Sequence, residues 1–356
     1  MSNRGEVIVI GAGIAGSAAA YALAELGIAV KVLDAAPEAA YGASGNMVGI
    51  LYPRLEAEFN KPTELSLKAI AACENMMQSL DAGLIERCGV LRLACDLYEA
   101  TRFEKIAKLP VLQGIAYKVD KYEVDKIAGL QVRSYGALWM PSLGYMRPKS
   151  LCAALLAHPN ITTLYNCQAS EIIGKQGEIM IICNIDEQKH LLNADNVIIA
   201  NGIAASQFRQ LHGVAHTLKP VRGQLSIAPA NADSTALKAV LCGKYGYITP
   251  AVQGSHFLGA TYDYHNLDLG LRREDHEYNL RAWAKYLPGI PAPTADSLSG
   301  RAAIRCVNKQ RLPIFGALDG QSGIFVSLAH GSRGLLTAPL AGMSISSHWI
   351  RMMSCW

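Results

Sequence analysis

Short apolar runs alternate with a small-residue helical stretch at the start of the chain. Val7–Ile10 and Ala29–Leu33 are predicted strands, and the alanine-rich stretch Ile14–Leu26 between them is a predicted helix. A helix that connects two such strands makes a βαβ unit, which requires a parallel sheet. Val197–Ala200 and Ile324–Leu328 have the same compact apolar pattern and are predicted to extend that sheet.

Later parts of the chain contain short apolar runs that turn residues separate, a pattern typical of an antiparallel sheet. These runs are Val221–Ile227, Gly246–Thr249, Phe257–Thr261 and Ala302–Val307. We therefore predict an α/β unit of the Rossmann type, discontinuous in sequence, combined with an α+β unit built on an antiparallel sheet. The first unit is predicted to comprise residues 1–80, 144–210 and 312–356, and the second residues 81–143 and 211–311.

Composition narrows the class of protein. The 356 residues are 51% hydrophobic and 17% charged, which is typical of a globular protein. Met1–Glu6 is too short for a secretory signal, and no run of about 18 apolar residues indicates a membrane span. The nine cysteines are scattered without CxxC spacing, which predicts reduced thiols in a cytoplasmic protein and no metal site. A formal charge of +4 is too small to indicate nucleic-acid binding by itself.

The turn after the first strand reads GAGIAG, a match to the dinucleotide fingerprint GxGxxG. In this motif Gly11 permits the tight turn, Gly13 lets the backbone approach a pyrophosphate, and Gly16 lets the helix pack closely on the strand. Ile14 and Ala15 begin the helix, whose free N–H groups and positive dipole end would face the phosphates.

Asp34 ends the second strand, 23 positions after Gly11. A carboxylate at this position can accept hydrogen bonds from ribose hydroxyls. The alternative is a glycine turn that binds no ligand, and it leaves Asp34 without a role. The fingerprint alone does not distinguish FAD from NAD.

Residues 42–53 read GASGNMVGILYP. The small residues of this segment suit a loop that wraps a pyrophosphate and passes beneath a flavin ring, and a surface turn would have the same composition. The candidates for cofactor contacts in this loop are Ala43, Ser44, Gly45 and Asn46.

This loop, with other segments in order along the chain, resembles the C-terminal FAD domain of the MnmC family of bacterial tRNA-modification enzymes. That family lies within the superfamily of glycine oxidase and D-amino acid oxidase. The resemblance implies FAD as the cofactor and a substrate domain of the D-amino acid oxidase type. The other matching segments are PVRGQ (220–224), GYITP (246–250), GATYD (259–263), RC (305–306), LP (312–313) and GSRG (331–334).

The resemblance also implies a reaction and a partner. Enzymes of this family oxidise the glycine-like arm of 5-carboxymethylaminomethyluridine, with or without a 2-thio group, at the wobble position of tRNA. A hydride passes from the carboxymethyl carbon to the flavin, and hydrolysis gives glyoxylate and 5-aminomethyluridine. The expected partner is the anticodon arm of tRNA. The family commonly fuses this domain behind a methyltransferase. Because the fingerprint here begins at residue 11, we expect a stand-alone oxidase, with methylation by a separate polypeptide.

Oxidation of such an arm needs a carboxylate anchor, and a planar guanidinium binds a carboxylate bidentately. Arg305 is the candidate, since alternation puts it with Arg301 and Ala303 on one strand face and the superfamily match favours this role. A structural ion pair is the alternative. Tyr247 is the predicted helper, whose phenol would reach the same carboxylate; a core or rim tyrosine is the alternative.

Gly331, Ser332, Arg333, Gly334 and Leu335 lie where a strand passes into the last helix. Backbone N–H groups at that helix start would stabilise negative charge at the N1–O2 edge of a reduced flavin. The family match favours this interpretation over an ordinary loop. Whether the side chain of Arg333 faces the substrate or the tRNA stays open.

Other polar residues receive weaker assignments. Asn201 stands where many related flavoproteins have threonine, and it is expected to contact FAD. Arg222 and Gln224 share a strand face that would border the flavin or the substrate entrance, or would be solvated. No histidine is assigned a catalytic role. Basic residues near the site are more typical of a solvated surface than of a tRNA contact: Arg54, Lys61, Lys68, Arg147 and Lys149.

Two other functions stay open at this point. An oxidase of free glycine, sarcosine or D-amino acids would use the same cofactor and the same anchor without RNA. A flavin-binding or RNA-binding protein without turnover would share the nucleotide motifs and lack the chemistry.

Overall fold

The computed structural model describes residues 6–80 and 83–353. Residues 1–5, 81–82 and 354–356, which the predicted domain limits include, lie outside the described residues. The strands are β1 (Val7–Ile10), β2 (Val30–Leu33), β3 (Gly49–Ile50), β4 (Ile85–Glu86), β5 (Val90–Leu93), β6 (Tyr117–Val119), β7 (Ala137–Met140), β8 (Tyr145–Met146), β9 (Ile161–Leu164), β10 (Cys167–Ile173), β11 (Ile179–Ile185), β12 (Gln188–Ala194), β13 (Asn196–Ile199), β14 (Lys219–Pro229), β15 (Val240–Gly243), β16 (Gly246–Ile248), β17 (Ser255–Gly259), β18 (Ser299–Val307), β19 (Ile314–Ala317) and β20 (Ile324–Leu328). The helices are α1 (Ile14–Ala24), α2 (Lys61–Ser79), α3 (Leu97–Ala107), α4 (Lys121–Ala128), α5 (Pro148–Leu156), α6 (His212–Ala215), α7 (Arg273–Tyr286) and α8 (Gly334–Met353).

The predicted parallel sheet has the strand order β19-β20-β13-β1-β2-β9, in which only β19 runs antiparallel to its neighbour. Its strands read as continuous apolar runs because both faces are covered. Val7 and Val9 of β1 pack in the cluster formed with α1 and α8. Ile8 and Ile10 pack on the other face, against the antiparallel sheet β10-β11-β12.

Helices α1 and α8 cross at very short range, which explains the small residues of α1. A Cβ built on Gly342 of α8 would lie 2.5 Å from the carbonyl oxygen of Ala18. Larger side chains at this crossing would push the two helices apart and open the core. The crossing brings the N-termini of both helices to the same end of the parallel sheet.

The second large sheet has eight strands in the order β18-β14-β17-β16-β15-β5-β7-β6. Its neighbours are antiparallel, as predicted, except that β5 and β15 run parallel. A fourth sheet of three short strands, β3-β8-β4, joins the segment after the GASGN loop to this part of the molecule. The predicted combination of a Rossmann-type unit with an antiparallel sheet is confirmed, whereas the residue limits of the two units stay a prediction.

Arg222 and Gln224 of β14 are both fully buried, on the sheet face that α7 covers. Arg222 donates from Nη1 to Asp275 Oδ2 and from Nη2 to Gln224 Oε1. Their cross-strand neighbours show that Arg305 lies on the opposite face of the sheet. The expectation that Arg222 and Gln224 line the entrance or a solvated face is therefore wrong, because a helix covers them.

Among the described residues, no helix combines the length and the apolar character needed to cross a membrane. The same residues contain no group of three histidine, cysteine or acidic side chains arranged to hold a metal ion.

Candidate active site

The GAGIAG turn leaves almost no space for side chains. Gly11 has a φ of +111°, and a Cβ built on it would lie 2.8 Å from the carbonyl oxygen of Ala200. A Cβ built on Gly16 would lie 1.8 Å from the carbonyl oxygen of Gly11. Both contacts are with backbone atoms, so neither position can accept a methyl group without moving a strand or the helix.

The first turn of α1 has no side-chain cap from its own N-cap residue, Gly13. Ser44 takes that place, since its Oγ accepts a hydrogen bond of 2.9 Å from the backbone N–H of Ile14. The N–H groups of Ala15 and Gly16 have no partner among the described residues. These free donors at a helix start are what the phosphates of a dinucleotide require.

Asp34 has a structural task in addition to the predicted contact with ribose. Its Oδ2 accepts from the N–H of Ala12 at 2.6 Å, and its Oδ1 accepts from the N–H of Ala36 at 2.8 Å. The carboxylate therefore ties the glycine turn to the end of β2. A carboxylate has about four acceptor sites, so those that remain could accept from ribose hydroxyls. The ribose contact itself stays a prediction.

The GASGN loop is held by an arginine from the other large sheet. Arg301 of β18 donates from Nη1 to Asn46 Oδ1 at 3.2 Å and from Nη2 to the carbonyl oxygen of Gly42 at 2.7 Å. Gly45 leaves room for this guanidinium, because a Cβ there would lie 2.6 Å from Arg301 Nη2. Arg301 was recognised in the sequence only as a neighbour of Arg305, and its role in holding the loop needed the structure.

The start of α8 adjoins both other cofactor segments. A Cβ on Gly334 would lie 3.1 Å from Ile14 Cγ2, and a Cβ on Gly49 would lie 2.6 Å from Leu335 Cδ1. Gly331, with a φ of +58°, makes the turn that leads from β20 into this helix. The structure thus brings the glycine turn, the segment around the GASGN loop and the GSRG segment to one place.

In or beside these segments, two buried polar atoms have no hydrogen-bond partner among the described residues. They are Oδ1 of Asn201, beside Gly11, and Nε of Arg333. A buried polar atom without a hydrogen bond is costly unless a ligand provides the partner. Together with the free N–H groups of α1, these atoms fit a bound dinucleotide. Ser332, the neighbour of Arg333, is exposed.

His330 precedes the GSRG segment and links the two elements on either side of it. Its Nδ1 lies 2.8 Å from Thr337 Oγ1 and its Nε2 lies 3.0 Å from Ser327 Oγ, so the ring links β20 to α8. Burial lowers the pKa of His330 to about 4, so the ring is neutral near neutral pH. With both nitrogens engaged, it is a positioning residue and is not placed to act as a base.

Arg305 lies on the face of the eight-stranded sheet that is opposite α7. Its Nη1 donates to the carbonyl oxygen of Thr261 at 3.0 Å, and its guanidinium stands 4.6 Å from the ring centroid of Tyr262. No ion pair of the described residues includes Arg305. A half-buried cation without an acidic partner favours the predicted anchor over the structural ion pair.

Tyr247 shares that sheet face, and a Cβ built on Gly259 would lie 3.1 Å from its hydroxyl. Burial raises the pKa of the Tyr247 phenol to about 12, although the nearby charge of Arg305 lowers it. The hydroxyl therefore stays protonated and can donate a hydrogen bond to a carboxylate held by Arg305.

Tyr52, from the LYP end of the GASGN segment, forms another wall of this region. The guanidinium of Arg92 stands 5.8 Å from its ring centroid and that of Arg333 stands 6.0 Å from it. Burial raises the pKa of Tyr52 to about 12. The sequence analysis assigned no role to Tyr52 or Arg92. The LYP motif was the one feature of the sequence that could have pointed to Tyr52.

Gly223 provides the space that the Arg305 guanidinium occupies. A Cβ on Gly223 would lie 1.9 Å from Arg305 Nη1, the flexible end of a side chain. We expect the free energy of unfolding of Gly223→Ala to lie within about 1 kcal/mol of the wild-type value. Its kcat/KM should fall about 100-fold, because the methyl group displaces the Arg305 guanidinium. Steady-state kinetics and urea unfolding of the FAD-loaded protein measure both quantities.

Gly213→Ala is the matched control, because a Cβ on Gly213 meets nothing within 4 Å. This variant should behave like wild type in both measurements. If Gly223→Ala retained full kcat/KM, the position of Arg305 would not matter for turnover.

Comparisons with known proteins agree with this geometry. A family model described as FAD dependent oxidoreductase, DAO, matches residues 6–347. The chain is 33% identical to the tRNA 5-methylaminomethyl-2-thiouridine biosynthesis bifunctional protein MnmC of Chromobacterium violaceum. This match covers 96% of this chain and 56% of that protein. The protein of the same name from Methylobacillus flagellatus is 34% identical, over 95% of this chain and 55% of that protein. The chain thus spans about half the length of these curated relatives.

Solved structures show the same fold at lower sequence identity. Glycine oxidase from Geobacillus kaustophilus has a TM-score of 0.81 at 21% identity, with 98% of this chain and 95% of that chain covered. Iminodiacetate oxidase from Chelativorans sp. BNC1 has a TM-score of 0.79 at 22% identity, with 97% and 95% covered.

Proposed function

We propose that this chain, which belongs to the DAO family of FAD-dependent oxidoreductases, oxidises the side arm of a modified tRNA base. The substrate would be 5-carboxymethylaminomethyluridine, with or without a 2-thio group, at the wobble position. The products would be 5-aminomethyluridine and glyoxylate. The names of the curated relatives support tRNA as the substrate.

The observation that carries the proposal is that the Arg305 guanidinium, which has no ion pair among the described residues, shares a sheet face with the protonated phenol of Tyr247. The arm ends in a carboxylate, and these two groups would bind it with two or more charge-assisted hydrogen bonds. Gly223 and Gly259 leave the space that the Arg305 guanidinium and the Tyr247 ring occupy on this sheet face. The carboxymethyl carbon would then be held at a fixed distance from the anchor.

FAD supplies the two-electron acceptor for this reaction when it is bound. The N–H groups of Ala15 and Gly16, with Ser44 and Asn201, would hold its nucleotide part, and the segment around Gly334 and Leu335 would adjoin its ring. Overall, one arm, one water and one dioxygen give one aminomethyl group, one glyoxylate and one hydrogen peroxide. Both ring nitrogens of His330 are hydrogen-bonded, so this histidine would not take a proton from the amine of the arm.

The test uses the purified, FAD-loaded protein under anaerobic conditions. Undermodified tRNA that bears the carboxymethylaminomethyl arm is added, and bleaching of the flavin's visible band is followed together with glyoxylate release. The control is the same tRNA without the arm. Glycine, sarcosine and D-alanine are assayed separately.

Bleaching and stoichiometric glyoxylate with the arm-bearing tRNA alone would support the proposal. Bleaching by free amino acids alone would assign the protein to the amino-acid oxidases. A flavin that no substrate reduces would indicate a binding protein without turnover. The separate methyltransferase partner stays a prediction, which co-purification from cell extract would test.

A further inference from the structure

Tyr262 has an exposed aromatic ring directly beside the predicted carboxylate anchor. Its exposed fraction is 44%, although the Arg305 guanidinium lies 4.6 Å from the ring centroid. Several other tyrosines are equally exposed, but the cationic partner of the Tyr262 ring is the predicted carboxylate anchor. The ring therefore contacts the Arg305 guanidinium and still keeps surface that a ligand can reach.

The backbone that carries Tyr262 is rigid. Asp263 pairs with Arg222 of β14 through hydrogen bonds of 2.8 and 2.9 Å between their backbones. The N–H of Thr261 donates to the carbonyl oxygen of Gln224, and the Asp263 carboxylate pairs with Arg272 at 2.8 Å. A ring on such a fixed segment loses little conformational freedom when a ligand stacks on it.

Other cationic side chains lie in the same region, since the Arg333 guanidinium stands 6.0 Å from the ring centroid of Tyr52. Burial lowers the pKa of Arg333, interactions with Tyr52 and Tyr262 oppose this shift, and the like charges of Arg54 and Arg311 add to it. Arg311 is exposed and takes part in no ion pair of the described residues. Exposed aromatic rings among guanidinium groups are typical of sites for unstacked nucleic-acid bases and their phosphates.

We propose that Tyr262 is the stacking platform for the wobble base, a positioning role that deepens the proposed function and rests on it. The arm has four bonds between its carboxylate carbon and C5 of the uracil, a span of about 5 Å at ordinary bond lengths. With the carboxylate on Arg305, the base reaches the ring that stands 4.6 Å from that guanidinium. A free amino acid has no base and would leave this ring uncovered.

The experiment compares Tyr262→Ala and Tyr262→Phe with Tyr264→Ala. Tyr264 is the matched control, since it has the same exposed fraction of 44%, and among the described residues the cation–π partner of Arg305 is Tyr262 and not Tyr264. Anaerobic flavin reduction is measured with an anticodon stem-loop that bears the carboxymethylaminomethyl arm. It is also measured with N-ethylglycine, which has the same amine and carboxylate but no base.

Tyr262→Ala is expected to raise the KM for the stem-loop about 5- to 150-fold, the range that corresponds to base–aromatic stacking of ~1–3 kcal/mol. The limiting rate at saturation should change less than the KM. The effect with N-ethylglycine should be at least tenfold smaller, and Tyr262→Phe should restore most of the affinity. Tyr264→Ala should match wild type.

Equal losses with the stem-loop and with N-ethylglycine would overturn the proposal, because Tyr262 would then only hold Arg305 in place. An unchanged KM in Tyr262→Ala would also overturn it. Both outcomes require a wild-type protein that oxidises the stem-loop. A wild type that oxidises N-ethylglycine and not the stem-loop would instead refute the proposed function.

Discussion

Arg305→Ala is expected to lower kcat/KM for arm-bearing tRNA by about 100- to 1,000-fold. Loss of a charge-assisted anchor costs about 3–4 kcal/mol when its partner is buried in the complex, and 1.4 kcal/mol corresponds to a factor of ten. Arg305→Lys should recover only part of this loss, because an ammonium lacks the planar fork that binds both carboxylate oxygens. Steady-state kinetics with tRNA provide the measurement.

The control for this prediction is Arg281→Ala. Arg281 is an exposed guanidinium that also lies near a tyrosine ring, 5.1 Å from Tyr278, on α7 and away from the site. It should keep wild-type kinetics. The FAD content of every variant is read from its visible spectrum. A loss of FAD in Arg305→Ala, with full turnover of the loaded fraction, would show that Arg305 is structural.

Asp275→Ala is expected to reduce the free energy of unfolding by about 3–5 kcal/mol. The substitution leaves the charge of Arg222 unpaired at a position where its side chain is 0% exposed. Arg222 would keep its bonds to Gln224 and to the carbonyl oxygen of Gly270, and these neutral groups do not replace a carboxylate. Urea unfolding, followed by circular dichroism, measures the change.

Glu277→Ala is the matched control on the same helix. The Arg273–Glu277 pair has side chains that are 60% and 57% exposed, so its loss should cost about 1 kcal/mol or less. Equal destabilisation by the two variants would mean that burial of the Arg222–Asp275 pair has no energetic consequence. Arg222 also fixes the segment that follows Tyr262, so Asp275→Ala should weaken binding of the stem-loop in addition.

The local elements could be predicted because their signals are local. Continuous apolar runs identified β1, β13 and β20, since strands that are buried on both faces need no polar positions. Alternation identified the strands around Arg305 and Tyr247. The resemblance then identified the cofactor and the enzyme class, and the family match confirms both.

Arg222 shows where alternation was insufficient. The pattern correctly placed Arg222 and Gln224 together on one strand face, but it could not show what covers that face. Helix α7 follows β14 by more than forty residues, and the buried network between them depends on that packing. Arg301 shows the same limit, because its hydrogen-bond partners in the GASGN loop lie about 255 positions earlier in the chain.

The sequence by itself determined the βαβ unit, the glycine turn, a dinucleotide as the kind of ligand and the residue types suited to a carboxylate. Each of these depends on the identity and spacing of near neighbours. Only the tertiary structure decided on which face of the sheet each arginine lies, that Arg222 is buried in an ion pair, and that Tyr262 stands beside Arg305. The reason is physical: burial, hydrogen-bond partners and pKa shifts depend on strands and helices that meet in space while lying far apart along the chain.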